Sequence, residues 1–316
     1  MKKFEFAKMN FSSLILSFIL IVSLFFFKSL IFNVQAYAET VIIEPGTVVE
    51  SVETGEYYDT ITLKSGGKIE NEGPDIVGIY SGGGDDEITI IKGGIIQINA
   101  PNNGIGVDVD AAAVGVNAGT GLDTISAGEA DDTNTVTETN DITATSTATA
   151  IQLEGEFTIS EGNSLDLGIT ANSTAIGVNA GEDGDTVTNA VSISATAISD
   201  TNGKKIMLNA TSPTLLDLGL KAQAQAKGIV GGAGDDTIVN TITDLEPGSI
   251  TAVANAWTRE VDLSQNLVDV LGVDASAWAT ASAIGVDTGE GMDTLNNPGA
   301  IHAEAHSKTS IFQMVL

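Results

Sequence analysis

The chain has 316 residues, with 42 acidic against 13 basic side chains and no cysteine, for a formal charge of −29. Such a balance argues against nucleic acid and anionic lipid as partners, because both would be repelled. The missing thiols exclude disulfides, thiolate metal sites and a cysteine nucleophile.

The first element in chain order is a signal peptide over 1–38. Lys2, Lys3 and Lys8 precede a nearly unbroken apolar run from Phe11 to Phe27, and Ala36-Tyr37-Ala38 has the form of a cleavage site. The alternative is an uncleaved anchor, since the run resumes after Lys28 as far as Phe32. Cleavage removes four lysines and one glutamate and leaves 9 basic and 41 acidic residues, a charge of −32. No second run is long enough to cross a bilayer, so the expected location is extracellular or at the cell surface.

Residues 39–75 read as an N-terminal lead-in or capping segment. Thr40-Val-Ile-Ile43 and Thr60-Ile-Thr-Leu63 are strand-like, and Lys64-Ser-Gly-Gly67 is turn-forming. From 76 to 316 one pattern recurs: an apolar residue, Gly, a short strand, a Gly-rich corner, then Asp and an aliphatic residue. The copies begin at Gly78, Gly115, Gly177, Gly228 and Gly285. Their aspartates are Asp86, Asp123, Asp185, Asp236 and Asp293, at intervals of 37, 62, 51 and 57. A repeat that hides its apolar face only by stacking on its neighbours predicts a solenoid.

Between the corners, apolar residues alternate with period two and the inward set is small. Ala144, Ser146, Ala148 and Ala150 share one face, opposite Thr143, Thr145, Thr147 and Thr149; Val273 to Ala283 repeats the idea with alternate alanines. Alternation of this kind is a strand signal, despite alanine's helix preference. The expected fold is all-β, an elongated parallel β-solenoid of degenerate repeats of roughly 50 residues. A unit of that length is expected to make two or three coils. Leu165-Asp-Leu-Gly168, Leu216-Asp-Leu-Gly219 and Val268-Asp-Val-Leu-Gly272 mark the longer unit. Asn189, Asn240 and Asn296-Asn-Pro-Gly299 stand where a second turn is needed. The last residues, Ser310 to Leu316, show no polar cap, which leaves end-to-end self-association as an expected contact.

The corners resemble the calcium-binding repeats of the RTX (repeats-in-toxin) family, whose pattern is G-G-x-G-x-D-x-U-x with U aliphatic. Gly231-Gly-Ala-Gly234-Asp-Asp236-Thr-Ile238-Val matches in full. The resemblance implies calcium as the cofactor, held by Asp236 and by backbone oxygens around Gly232 and Gly234. By looser match the role extends to Asp86, Asp123, Asp185 and Asp293. Four copies replace the first Gly with Ser81, Ala118, Ala180 or Thr288, and Asp183 stands where a Gly is expected. No copy is followed by another at nine residues, so one loop alone offers fewer than calcium's six to eight oxygens. The alternative is that Gly and Asp only turn the chain, with Asp bonding nearby amides.

His302, Glu304 and His306 are expected on one strand face. They are the only histidines, and no phosphate loop or catalytic triad is legible. The chain therefore reads as a non-enzymatic, secreted or surface structural or adhesive module, resembling passenger repeats of bacterial exported adhesins. The alternative is an RTX-like accessory domain of an exoenzyme or toxin whose catalytic part lies outside this chain.

Overall fold

The computed structural model describes residues 38–91, 93–105, 107–129, 141–152, 154–159, 164–210, 215–242, 248–259, 262–267, 272–274, 276–310 and 313–315. The expected signal peptide lies outside these residues, apart from Ala38. Every described element is a β-strand or a turn, and every strand pair is parallel. Among the described residues, no helix is long and apolar enough to cross a membrane.

Three sheets run the length of the solenoid. The first stacks the strands that follow each corner: Thr40–Ile43, Thr60–Leu63, Glu87–Ile91, Thr124–Glu129, Thr186–Asn189, Thr237–Asn240 and Thr294–Asn296. The second stacks Val48–Val49, Lys68–Glu72, Ile95–Ile105, Asp141–Ile151, Ser192–Asn202, Ser249–Arg259 and Ala300–Thr309. The third brings the chain back to the next corner through Val52–Glu53, Ile76–Tyr80, Val109–Asn117, Ile169–Glu182, Leu220–Ala233 and Ala277–Asp287. The stretch 39–75 is thus built as coils of these same sheets and does not stand apart from them.

Each repeat makes one coil, not two or three. Ile61, Ile88, Ile125, Val187, Ile238 and Leu295 are direct neighbours in the first sheet. All are at most 1% exposed except Leu295 in the last coil, at 45%. The extra length is absorbed by the second and third sheets, which run on past the three-sided core and lie face to face. Ala148, Ala171, Ala175, Ala195, Ala222 and their neighbours fill that thin lobe. The opposed sheets are close enough for serine to bridge them. Ser146 Oγ donates to Ala111 O at 2.8 Å and Ser199 Oγ to Ala171 O at 2.6 Å. Each buried isoleucine of the three-sided core contributes about 1.5–3 kcal/mol, whereas the alanine lobe depends more on ladder hydrogen bonds and close contact.

Two short sheets close the lobe in the wider coils. One stacks Gly155–Ile159, Lys205–Ala210, Asp262–Leu267 and Gln313–Val315; the other stacks Ser164–Asp166, Leu215–Asp217 and Gly272–Asp274. Asp274 pairs with Asp217 and Val273 with Leu216. The third Leu-Asp element is therefore Val273-Asp274 and not Val268-Asp269. The strand expected over 273–283 is not continuous, since Gly272–Asp274 and Ala277–Asp287 belong to different sheets.

The glycine that opens each repeat has a steric cause. Inward positions are Ala171, Ser173 and Ala175 before Gly177, but Val178 and Ala180 after it, so the alternation slips by one. Gly177 is also skipped in the pairing. A side chain there would meet Gly228 O and Ile193 Cγ2; Gly115 and Gly228 are confined in the same way. The slip turns the third sheet from the alanine lobe to the isoleucine core. We predict that Gly177→Val lowers unfolding stability by about 1–3 kcal/mol, as overpacking does. Urea unfolding monitored by circular dichroism would show this as a lower midpoint with retained strand signal.

Candidate functional site

The corners form one row along the solenoid. Gly82, Gly119, Gly181, Gly232 and Gly289 all have positive φ, between 91° and 120°. A side chain on Gly232 would strike Gly181 O in the neighbouring coil, so glycine is required by both conformation and contact. Gly234 holds a second such position at φ 116°, and in the third copy Asp183 occupies it at φ 80°. Aspartate is among the residues that tolerate this region, which is how that repeat keeps its turn.

The corner aspartates bond from coil to coil. Asp86 Oδ1 accepts from Asp59 N, Asp123 Oδ1 from Asp86 N, Asp185 Oδ1 from Asp123 N and Asp236 Oδ1 from Asp185 N, all at 2.8 Å. Asp293 Oδ1 continues the row to Asp236 N at 3.0 Å. The sequence separations are 27, 37, 62, 51 and 57, yet the bond is the same. Asp59 is a further member that sequence reading missed. It accepts from Glu39 N at 2.6 Å and from Gly55 N at 3.1 Å. The signal was Gly55-Glu-Tyr-Tyr-Asp59-Thr-Ile61, in which Tyr57 replaces a corner glycine. Where a second aspartate precedes the first, it ties the corner to the following coil. Asp85 Oδ1 accepts from Leu122 N at 3.0 Å and Asp235 Oδ1 from Met292 N at 2.8 Å.

This arrangement commits most corner oxygens. Gly82 O accepts from Thr120 N, Gly119 O from Glu182 N and Gly232 O from Glu290 N. The carbonyls of Asp86, Asp123, Asp185 and Asp236 accept from the first strand residue of the next coil. Among the buried side-chain atoms of the corners, Oδ2 of Asp86, Asp123, Asp185 and Asp236 has no hydrogen-bond partner. Calcium takes six to eight oxygens, and the Gly232 carbonyl that the RTX resemblance assigns to it accepts from Glu290 N with one of its two lone pairs. Among the described residues, no group of three or more His, Asp or Glu side chains is placed to hold a metal ion.

The same burial changes the acidity of the row. Loss of water around the carboxyl pushes Asp123 up to about 7 and Asp185 to about 8, from an ordinary 3.8. The bonded backbone amide partly opposes the shift, and neighbouring aspartates add to it. Asp86 and Asp236 are raised for the same leading reason.

A second ladder supports the turn after the first sheet. Asn189 Nδ2 donates to Asn240 Oδ1 at 2.9 Å, and Asn240 Nδ2 to Asn297 Oδ1 at 2.6 Å, with Asn189 and Asn240 fully buried. His302 and His306 do share a face with Glu304. His306 Nε2 lies 2.7 Å from Glu304 Oε1, and His302 Nε2 lies 3.4 Å from Oε2. The carboxylate uses a different oxygen for each ring, so the three do not converge on one point.

Comparison with protein-family models, with curated proteins and with solved structures finds no match for this chain.

The raised pKa values give stability a definite pH dependence. A folded value above the unfolded one means that folding takes up protons between the two. The contribution is full below about pH 4 and is lost as pH rises through about 7 to 8. We predict a higher melting temperature at about pH 5 than at about pH 9. In Asp123→Asn/Asp185→Asn, whose amides stay neutral and keep the accepting oxygen, the difference should shrink. Scanning calorimetry across that range checks it.

Proposed function

We propose that this chain is an exported structural or adhesive solenoid, acting outside the cell or at its surface. The observation that carries the reading is the division of labour in the middle coils. Inward positions are mostly Ile, Leu, Val, Ala or Ser, and the outer faces carry rows rich in Thr, Ser, Asn, Asp and Gln. Such a body presents a long polar surface and needs no reactive group to do so. Its strong negative charge keeps copies apart and in solution. Immunolabelling of intact producing cells and their medium, combined with attachment assays before and after gene deletion, tests the reading. Surface or medium labelling with loss of attachment supports it; retention inside the cell, or unchanged attachment, contradicts it.

One observation favours the second reading, a calcium-responsive accessory domain of a larger exoenzyme or toxin. The four uncommitted Oδ2 atoms form a buried row in which a cation would relieve mutual repulsion. The two readings differ at about pH 9, where these carboxyls are charged. For the structural module, we expect calcium and magnesium at equal ionic strength to change the melting temperature equally, as screening does. A calcium-specific increment that disappears in Asp236→Ala would instead support the accessory domain.

A further inference from the structure

The solenoid surface is indented where the short sheet ending in Asp166 and Asp217 meets the third main sheet. The cleft encloses about 480 Å³. Its floor is open because Gly168 and Gly219 carry no side chain. A Cβ at either would come within 3.2 Å and 3.1 Å of Asp166 Oδ1 and Asp217 Oδ1. Those oxygens accept from the amides of Gly168 and Gly219 at 2.9 and 2.8 Å, which fixes the carboxyl heads along one wall. Asp108 closes one end by accepting from Thr170 N at 2.7 Å, at the step where the coils widen. On the other wall Thr170, Lys221 and Trp278 are neighbours across successive strands.

Trp278 is the feature that needs explaining. It is 65% exposed and lines the cleft. An indole in water forgoes a large burial gain, and its face is suited to stacking on an apolar or C–H-rich surface. The charges around it narrow the choice of partner. Asp108, Asp166 and Asp217 repel an anion. Lys221, beside the indole in the ladder, repels a cation from the stacking face. What remains is a neutral ligand with many hydroxyls. Its C–H face would lie on Trp278, its hydroxyls would donate to the carboxylates, and Lys221 would donate to its oxygens. Coils repeat every ~4.8 Å, close to the length of one sugar ring, so Asp166 and Asp217 recur in step with a linear chain laid along the axis, with Trp278 at one end of its ladder.

We propose that this cleft is a binding site for a neutral polysaccharide, with Trp278 as its stacking platform. The proposal deepens the adhesive reading and rests on it for the presence of an extracellular ligand. In Trp257→Phe the remaining indole reports on the cleft, since the chain has two tryptophans. Cellohexaose, xylohexaose and mannohexaose are titrated into the exported protein, with a hexagalacturonate and hexalysine as charged controls. At least one neutral hexasaccharide is expected to shift the Trp278 emission saturably, and the charged controls are not. By calorimetry, on the otherwise unaltered protein, Trp278→Ala should weaken that binding about tenfold. Trp278→Phe, which keeps a stacking ring, should retain most of it, and Lys221→Gln and Asp217→Asn should weaken it further. Absence of saturable binding by all three neutral probes, binding indifferent to Trp278→Ala, or binding of hexalysine alone would each overturn the site. If cells producing Trp278→Ala attach normally and no neutral probe binds, the site falls while the adhesive reading stands. Retention of the protein inside the cell would contradict the adhesive reading but leave binding in solution unaffected.

Discussion

A backbone amide of one coil donating to the carboxyl oxygen of the next corner is the contact on which the solenoid depends. It recurs from Glu39 to Asp293 at 2.6–3.0 Å across separations that range from 20 to 57 residues, and once 62. A turn amide without a strand partner would otherwise be buried unpaired, at a cost of about 1–3 kcal/mol. The corner therefore sets the rise and phase of the coil independently of what lies between corners.

That independence explains how coils of such different length coexist. The isoleucine core beneath the corners hardly changes, whereas the far ends of the second and third sheets lengthen from the first coils to the middle ones. Alanine on both inner faces lets the added length be stored as a thin double layer, and serines bridge the two sheets. The cost appears at the corners. Asp86, Asp123, Asp185 and Asp236 resist ionisation, and the raised pKa values of Asp123 and Asp185, about 7 and about 8, reflect that resistance.

The main features were legible in the sequence because their cause is local. Period-two alternation, the corner glycines and the inward aliphatic after each Asp depend on nearest neighbours along the strand. The number of coils per repeat was not legible, since a face-to-face alanine lobe has the same alternation as two separate coils. The first corner was hidden because Tyr57 takes a place that glycine holds in four copies and Asp183 in the other. The Val268-Asp pair mimicked Val273-Asp274, and only strand pairing separates them. That Asp236 Oδ1 meets the Asp185 amide was equally hidden, because Gly-rich loops ending in Asp suit a cation as well as an amide. The orientation of Oδ1 and the commitment of Gly232 O to an amide are properties of stacked coils, which no single repeat contains.

The most direct test is hydrogen exchange at the corner amides, resolved by nuclear magnetic resonance. If carboxyl-to-amide bonds hold the coils together, the amides of Asp86, Asp123 and Asp185 exchange as slowly as those of the adjoining strand residues Ile88, Ile125 and Val187. Replacing Asp185 with alanine should then accelerate exchange at Asp123 before it affects distant corners. Corner amides that exchange at the rate of exposed turns, in a chain whose strands remain protected, would contradict the account.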